Sequence, residues 1–341
     1  MKKSINLNPK RMMFFKISLS LILILISNQL FSSIISVDNN YPKIGDFATL
    51  QEAHDAANNG DTIYVFPSLA SYSTIKVIKK LYFLGAGFQT FQVGLRSTLM
   101  DGTFEFLSGA DGSTLAGFGG NFNVIIDANN ISIQRNNAKG ILVKTGHLGT
   151  VISQNFLNDI YNYFLIDVES ENEVILSNNI IKNHSLWYGP NGNNSNNGKG
   201  IRANQTTNTS IIIHNIIDLA NTTYSIEAVA MDVGSSNTIA YNNIVLIGSI
   251  AGIQTEFYNN LISPDIENVF IDFRQNNYKL KQGSPAIGSG LNGADMGIYG
   301  GETPFIDGGY PSIPSIYYLD VPLIGNKKDG INVTLKAKTN K

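Results

Sequence analysis

Four acidic residues, Asp167, Glu169, Glu171 and Glu173, recur at alternate positions from the end of an apolar stretch containing Phe164, Ile166 and Val168. If that stretch is a strand, alternation puts Asp167 and Glu169 on its outer face. Clustered carboxylate oxygens are the ligands Ca²⁺ takes, and Asp167 with Glu169 is the metal position the pattern offers. Without an ion the same residues form a solvated acidic turn. A second constellation lies in the polar, Gly-rich segment 185–200 (SLWYGPNGNNSNNGKG), which carries Trp187, the single tryptophan of the chain, beside Tyr188. An aromatic face stacks on sugar C–H groups while Asn amides bond hydroxyls, so Trp187 and Tyr188 offer a glycan platform. The competing reading has Trp187 pinning the loop to the protein body. Arg202 follows directly and either assists binding or is exposed.

Other chemistries find less support. The four histidines, His54, His147, His184 and His214, show no metal-ligand spacing, and the absence of Cys removes thiolate ligands, thiol nucleophiles and disulfides. The formal net charge of −2 lacks the basic footprint of a nucleic-acid binder. Charged residues make up 15% of the chain, against about 25% in ordinary domains. The polar surface is therefore largely uncharged, and 41 Asn stand beside 44 Ile.

Residues 1–33 read as a signal peptide. Lys2, Lys3, Lys10, Arg11 and Lys16 precede the apolar run 17–26, and small or polar residues follow up to Ser33. That run is too short for the ~20 apolar residues that span a bilayer. The expectation is export to the medium or the cell surface with no transmembrane segment. Loss of five cations and no acid leaves 19 basic against 26 acidic groups, a formal −7.

The elements that must position these residues come next. Thr49 with Glu52 forms a capping box, and Leu50, Ala53 and Ala57 give one short helix an apolar face. Beyond it the chain reads as short strands. An Asn directly before an apolar residue recurs as Asn155-Phe156, Asn179-Ile180, Asn215-Ile216, Asn243-Ile244 and Asn260-Leu261, with Asn136 a weaker sixth copy. The interval from Asn179 to Asn215 is the longest because it contains segment 185–200. Without that segment the first three intervals each approach the length of one solenoid rung. The last interval, from Asn243 to Asn260, is short and reads as a fading repeat. A corner Asn can bond the Asn of the rungs above and below, and Asn tolerates the left-handed backbone of a tight corner. His214, in the corner column between Asn178 and Asn242, reads as a ladder substitute.

These residues resemble bacterial secreted right-handed parallel β-helix proteins of the pectate-lyase-like superfamily. The resemblance rests on 47–67 (FATLQEAHDAANNGDTIYVFP), on 72–87 (YSTIKVIKKLYFLGAG) and on 278–299 (YKLKQGSPAIGSGLNGADMGIY), in that order around the Asn-rich rungs. Ser68 and Gly288 depart from the usual residues at their positions. The resemblance implies an all-β, right-handed parallel β-helix over 34–301, headed by a capping helix. The tail 302–341, broken up by Pro304, Pro311, Pro314 and Pro322, reads from its own residues as an appended strand, alternating over 331–337, or as a surface-attachment tail. Three functions stay open. Trp187 and Tyr188 point to binding of a polysaccharide or cell-surface glycan, or another surface interaction, along the flank of the coil. The resemblance allows Ca²⁺-assisted β-elimination on a uronate polymer, with Arg135, Lys139 or Lys144 as the basic group. The third is a structural or adhesive spacer role. The signatures of the hydrolases in this superfamily are missing apart from half of one, Gly146-His147. No catalytic residue and no oligomeric state follow from the sequence.

Overall fold

The computed structural model describes residues 32–88, 97–159, 164–183, 199–203, 208–219, 229–233, 237–251, 256–322 and 330–339. The N-terminal segment through residue 31, and with it nearly all of the signal-peptide reading, lies outside these, as do Trp187 and Tyr188. Three parallel sheets, here A, B and C, contain ten, eight and six strands. The first turns alternate between sheets A and B; from Asn137 on, each turn visits A, then C, then B. Ser132–Gln134 is followed by Asn137–Ala138, by Gly140–Val143, and then by Thr150–Ser153 back in sheet A. The chain is a right-handed parallel β-helix.

Side-chain alternation explains why such short strands hold. In sheet A the middle residue of each strand points inward, and Ile63, Phe83, Leu115, Ile133, Ile152, Leu176, Ile212 and Ala240 stack in register. All eight are fully buried. A rung of this size cannot bury its apolar residues alone; stacking supplies the missing layers.

The A-to-C corner carries the Asn repeat, and it separates two roles that the sequence merged. The Asn preceding each sheet-C strand forms the ladder. Side-chain amides of Asn136, Asn155, Asn179, Asn215 and Asn243 each donate to the Oδ1 of the next Asn at 2.9–3.2 Å, ending on Asn260. The backbone N–H of each donates to the same Oδ1. Asn136 is thus a full member of the ladder. The short step from Asn243 to Asn260 is likewise a complete turn through sheets C, B and A. The preceding residue takes the left-handed conformation instead: Arg135, Gln154, Asn178, His214, Asn242 and Asn259 have φ between 52° and 58°.

Those left-handed residues hold a strap. Residues 286–311 run back along the outside of the A–C corner, against the direction of coiling. Asn242 Oδ1 accepts from Leu291 N–H (2.7 Å), and Asn178 Nδ2 donates to the carbonyls of Ile298 and Gly300 (both 2.9 Å). Arg135 Nη1 donates to the Tyr310 carbonyl at 2.9 Å. Beneath lies a second apolar core outside the coil. The outward residues Ile180, Ile216 and Ile244 of sheet C pack with Val269, Phe270, Tyr278, Met296 and Ile298. His214 is therefore no rung of the amide ladder. Its ring is buried, its Nε2 faces Asn242 Nδ2 at 3.3 Å, and the strap crosses it closely. A Cβ on Gly300 would stand 2.7 Å from His214 Nδ1.

At the head of the coil the helix Leu50–Ala56 has the expected capping box, Thr49 N–H to Glu52 Oε2 at 3.1 Å and Glu52 N–H to Thr49 Oγ1 at 3.2 Å. Lys79 caps its other end, donating to the carbonyls of His54, Asp55 and Ala57 at 2.9–3.0 Å. Packing of the chain on the corner continues past residue 301, for Phe305 and Pro311 are buried. Beyond it the structure pairs two antiparallel strands, Pro314–Asp320 and Thr334–Thr339, where the sequence suggested one. No helix among the described residues is long and apolar enough to cross a membrane.

Candidate functional site

The outer face of sheet B brings distant segments into one line. Register places Lys76, Glu105, Ile125, Leu142, Asp167, Arg202 and Asp232 on successive strands, all at the same outward position. Charged residues pair with the neighbouring rung. Lys76 Nζ stands 3.9 Å from Glu105 Oε2. Arg202 donates to Asp167 through Nε (2.6 Å) and Nη2 (2.5 Å), a bidentate arrangement. Between these pairs Ile125 and Leu142 leave an apolar floor.

A parallel line two residues earlier contains Thr103, Asn123 and Gly140. Gly140 has no side chain, so the surface dips beside Leu142. Together with Phe164, Asp167 and Arg202 these residues line a groove of about 380 Å³. The Arg202 guanidinium lies over the Phe164 ring, 4.7 Å from its centroid. The hydrogen-bonded Asp167 carboxylate raises the pKa of Arg202 above its ordinary value. The guanidinium therefore stays protonated, and its charge is matched within the groove. An apolar floor with a few convergent polar groups is the usual make-up of a small-ligand site.

Two residues singled out from sequence, Asp167 and Arg202, are thus brought together, but as partners of one another. Asp167 turns to the following rung, whereas Glu169 Oε2 turns to the preceding one and accepts from Thr145 N–H and Oγ1–H (both 2.9 Å). Among the described residues no three His, Asp or Glu side chains converge as a metal site would need. Arg135 stands at the A–C corner, buried, with its Nε donating to Gln154 Oε1 at 2.8 Å. It is on a different face from Asp167 and is removed from any joint chemistry with it. Lys144 pairs with Asp127 at 3.1 Å, and His147 Nε2 lies 2.9 Å from the other oxygen of that carboxylate. Both contacts hold the Asp127 pKa below the carboxylate norm, His147 more than Lys144. The half-motif Gly146-His147 is a latch at the B-to-A corner. Lys139 is partly exposed just before Gly140.

Thr103, Asn123 and Leu142 escaped the sequence reading. Each sits at an outward position of a strand, and alternation signals that much. The sequence groups Phe164 with Ile166 and Val168 as apolar; it breaks the alternation, being partly exposed while its neighbour Leu165 is buried. Residues one turn apart in the chain become adjacent only through the register of the coil.

No family model matches the chain, and no curated protein does. Among solved structures the chain is similar to the pectate lyase Pel9A, at 12% identity and a TM-score of 0.45, over 78% of this chain and 96% of that one. The fold assignment rests on the three parallel sheets and their register.

Proposed function

We propose that this protein is an exported glycan-binding β-helix, whose groove on sheet B holds a sugar chain. The groove carries the reading: Ile125 and Leu142 offer an apolar floor to sugar C–H faces, while Thr103, Asn123, Asp167 and Arg202 surround it with hydroxyl, amide and charged groups. The basic, apolar N-terminal segment supports export, and the acidic balance of the processed chain favours a glycan with few carboxylates.

The test is retention on a panel of immobilised neutral and acidic polysaccharides, followed by calorimetric titration of the best ligand. Asn123→Ala and Leu142→Glu should each weaken binding about tenfold or more, since one removes a polar partner and the other charges the floor. Unchanged affinity in both variants would remove the groove from the function. Trp187→Ala and Tyr188→Ala test whether segment 185–200 adds contacts.

The competing reading is β-elimination on a uronate polymer with Ca²⁺ at Asp167 and Glu169. The same panel, incubated with and without Ca²⁺, tests it by ultraviolet absorbance of unsaturated products. Arg202, kept protonated by Asp167, is suited to orienting a ligand and poorly suited to removing a proton.

A further inference from the structure

At the A–C corner a histidine shares in holding the strap. Leu291 N–H can only donate, so the Asn242 side chain must turn its Oδ1 toward it, at 2.7 Å. Asn242 Nδ2 then faces His214 Nε2, at 3.3 Å. An amide nitrogen has only hydrogens to offer, so Nε2 must be an unprotonated acceptor. The proton of the neutral ring therefore sits on Nδ1. The Asp295 carbonyl of the strap faces that atom but lies outside hydrogen-bonding geometry. His214 and Asn242 are 4% and 1% exposed, so solvent does not stand in for a lost partner.

Protonation at Nε2 removes the acceptor, and two donors then meet. Turning the Asn242 amide over restores a bond to the imidazolium but sets Nδ2 against Leu291 N–H. One hydrogen bond at this junction is lost in either case, in a buried site where such a loss is costly. Among the described residues, burial and the Asp295 carbonyl are what bear on the ring's titration. Charged groups of the strap are engaged elsewhere. The Asp295 carboxylate accepts from Gly288 N–H at 2.8 Å, and Asp307 holds the Tyr299 hydroxyl at 2.7 Å and Lys279 at 3.4 Å. Glu302 is exposed. On the coil, the corner residues on either side are Asn178 and Asn242, which do not titrate, and Tyr241 stacks on Tyr258.

We propose that His214 is an acid-sensitive catch for the strap: when its ring takes a proton, the Asn242–Leu291 contact opens and the stretch 290–298 lifts from the corner. Asn242 also ties this stretch through its carbonyl, which accepts from Gly297 N–H at 3.0 Å. Displacing one residue therefore loosens two contacts. Gly297 lies flush on the outward Ile244, whose Cδ1 would stand 2.8 Å from a Cβ at that position. Lifting the stretch uncovers Ile216 and Ile244 of sheet C together with Met296 and Ile298, all of them in the outer apolar core. The amide ladder behind them is built of Asn, which does not titrate, so the coil stays assembled while this apolar face opens.

Hydrogen exchange of the full chain at pH 8 and pH 5 tests the proposal, read as protection factors so that the intrinsic pH dependence of exchange divides out. In acid the Leu291 and Gly297 amides should lose protection about tenfold, as the loss of about one hydrogen bond requires. The ladder amides of Asn155 and Asn179 should keep theirs. His214→Asn should abolish the pH effect. Asn242→Asp is the sharper control, because a carboxylate accepts from Leu291 N–H and from the imidazolium at once. In that variant the strap should hold in acid as well as it does at pH 8 or better. Unchanged protection of Leu291 in the wild type, a loss shared by the ladder amides, or an equal loss in Asn242→Asp would each overturn the proposal.

Discussion

Asn179 receives two hydrogen bonds from Asn155, one from its backbone N–H and one from its side-chain amide, both on Oδ1 at 3.0 Å. Asn179 then passes the same pair on to Asn215. Each amide is fully buried and serves as acceptor for the rung before and donor to the rung after.

Replacing Asn179 by Ala would strand the two donors of Asn155 and the Ile152 carbonyl that Asn179 Nδ2 satisfies at 2.8 Å. A buried unsatisfied group costs about 1–3 kcal/mol, so the expected loss is about 2–4 kcal/mol after partial relaxation. Chemical denaturation of the variant measures it. Asn179→Asp, which keeps an acceptor but loses the donor, should not recover wild-type stability. An Asn179→Ala variant as stable as wild type would show that the ladder is not stabilising.

Burial lowers the pKa of His214 below its ordinary value. The unfolded chain binds a proton near pH 6.5 and the folded chain only at lower pH. Stability should therefore be full above about pH 6.5, fall as pH drops below it, and stop falling beneath the folded pKa. Thermal unfolding from pH 8 to pH 5 should show a steeper decline for wild type than for His214→Asn. Parallel profiles would mean that His214 carries no such linkage.

The Arg202–Asp167 pair is partly exposed, with side chains 38% and 21% accessible. Solvent screening keeps its worth to about 1 kcal/mol or less. Asp167→Asn should consequently change stability little, yet it leaves the Arg202 charge uncompensated in the groove. The expected outcome is stronger retention on acidic polysaccharides than wild type shows, measured at low and high salt. Equal retention at both salts would separate this pair from ligand choice.

Thr49→Ala should cost about 1 kcal/mol through loss of the cap. Lys79→Met should also destabilise, because three carbonyls at the helix end lose their common donor. Urea midpoints report both. A neutral result for the pair would mean the cap helix contributes little to global stability.

The capping box at Thr49 and Glu52 and the Asn repeat were legible because both depend on local spacing. A capping box spans one helical turn, and the Asn ladder repeats wherever the corner repeats. His214 was misplaced because Asn and His at that position share a left-handed backbone, while its partner, the strap around Gly300, lies several turns further along the chain. Asp167 and Arg202 were both singled out, and their mutual bond was not. Their adjacency depends on the intervening segment 168–201 forming one full turn, which their own identities do not encode.

Composition and periodicity alone therefore determine that this chain coils into stacked short strands, with apolar residues in the strands and Asn at the corners, since one rung contains the information for its own repeat. The tertiary structure decides which outward residues become neighbours and which corner carries the strap. Those outcomes depend on rung length, on loops of unequal size and on the return of the C-terminal segment, and each couples residues that no local pattern links.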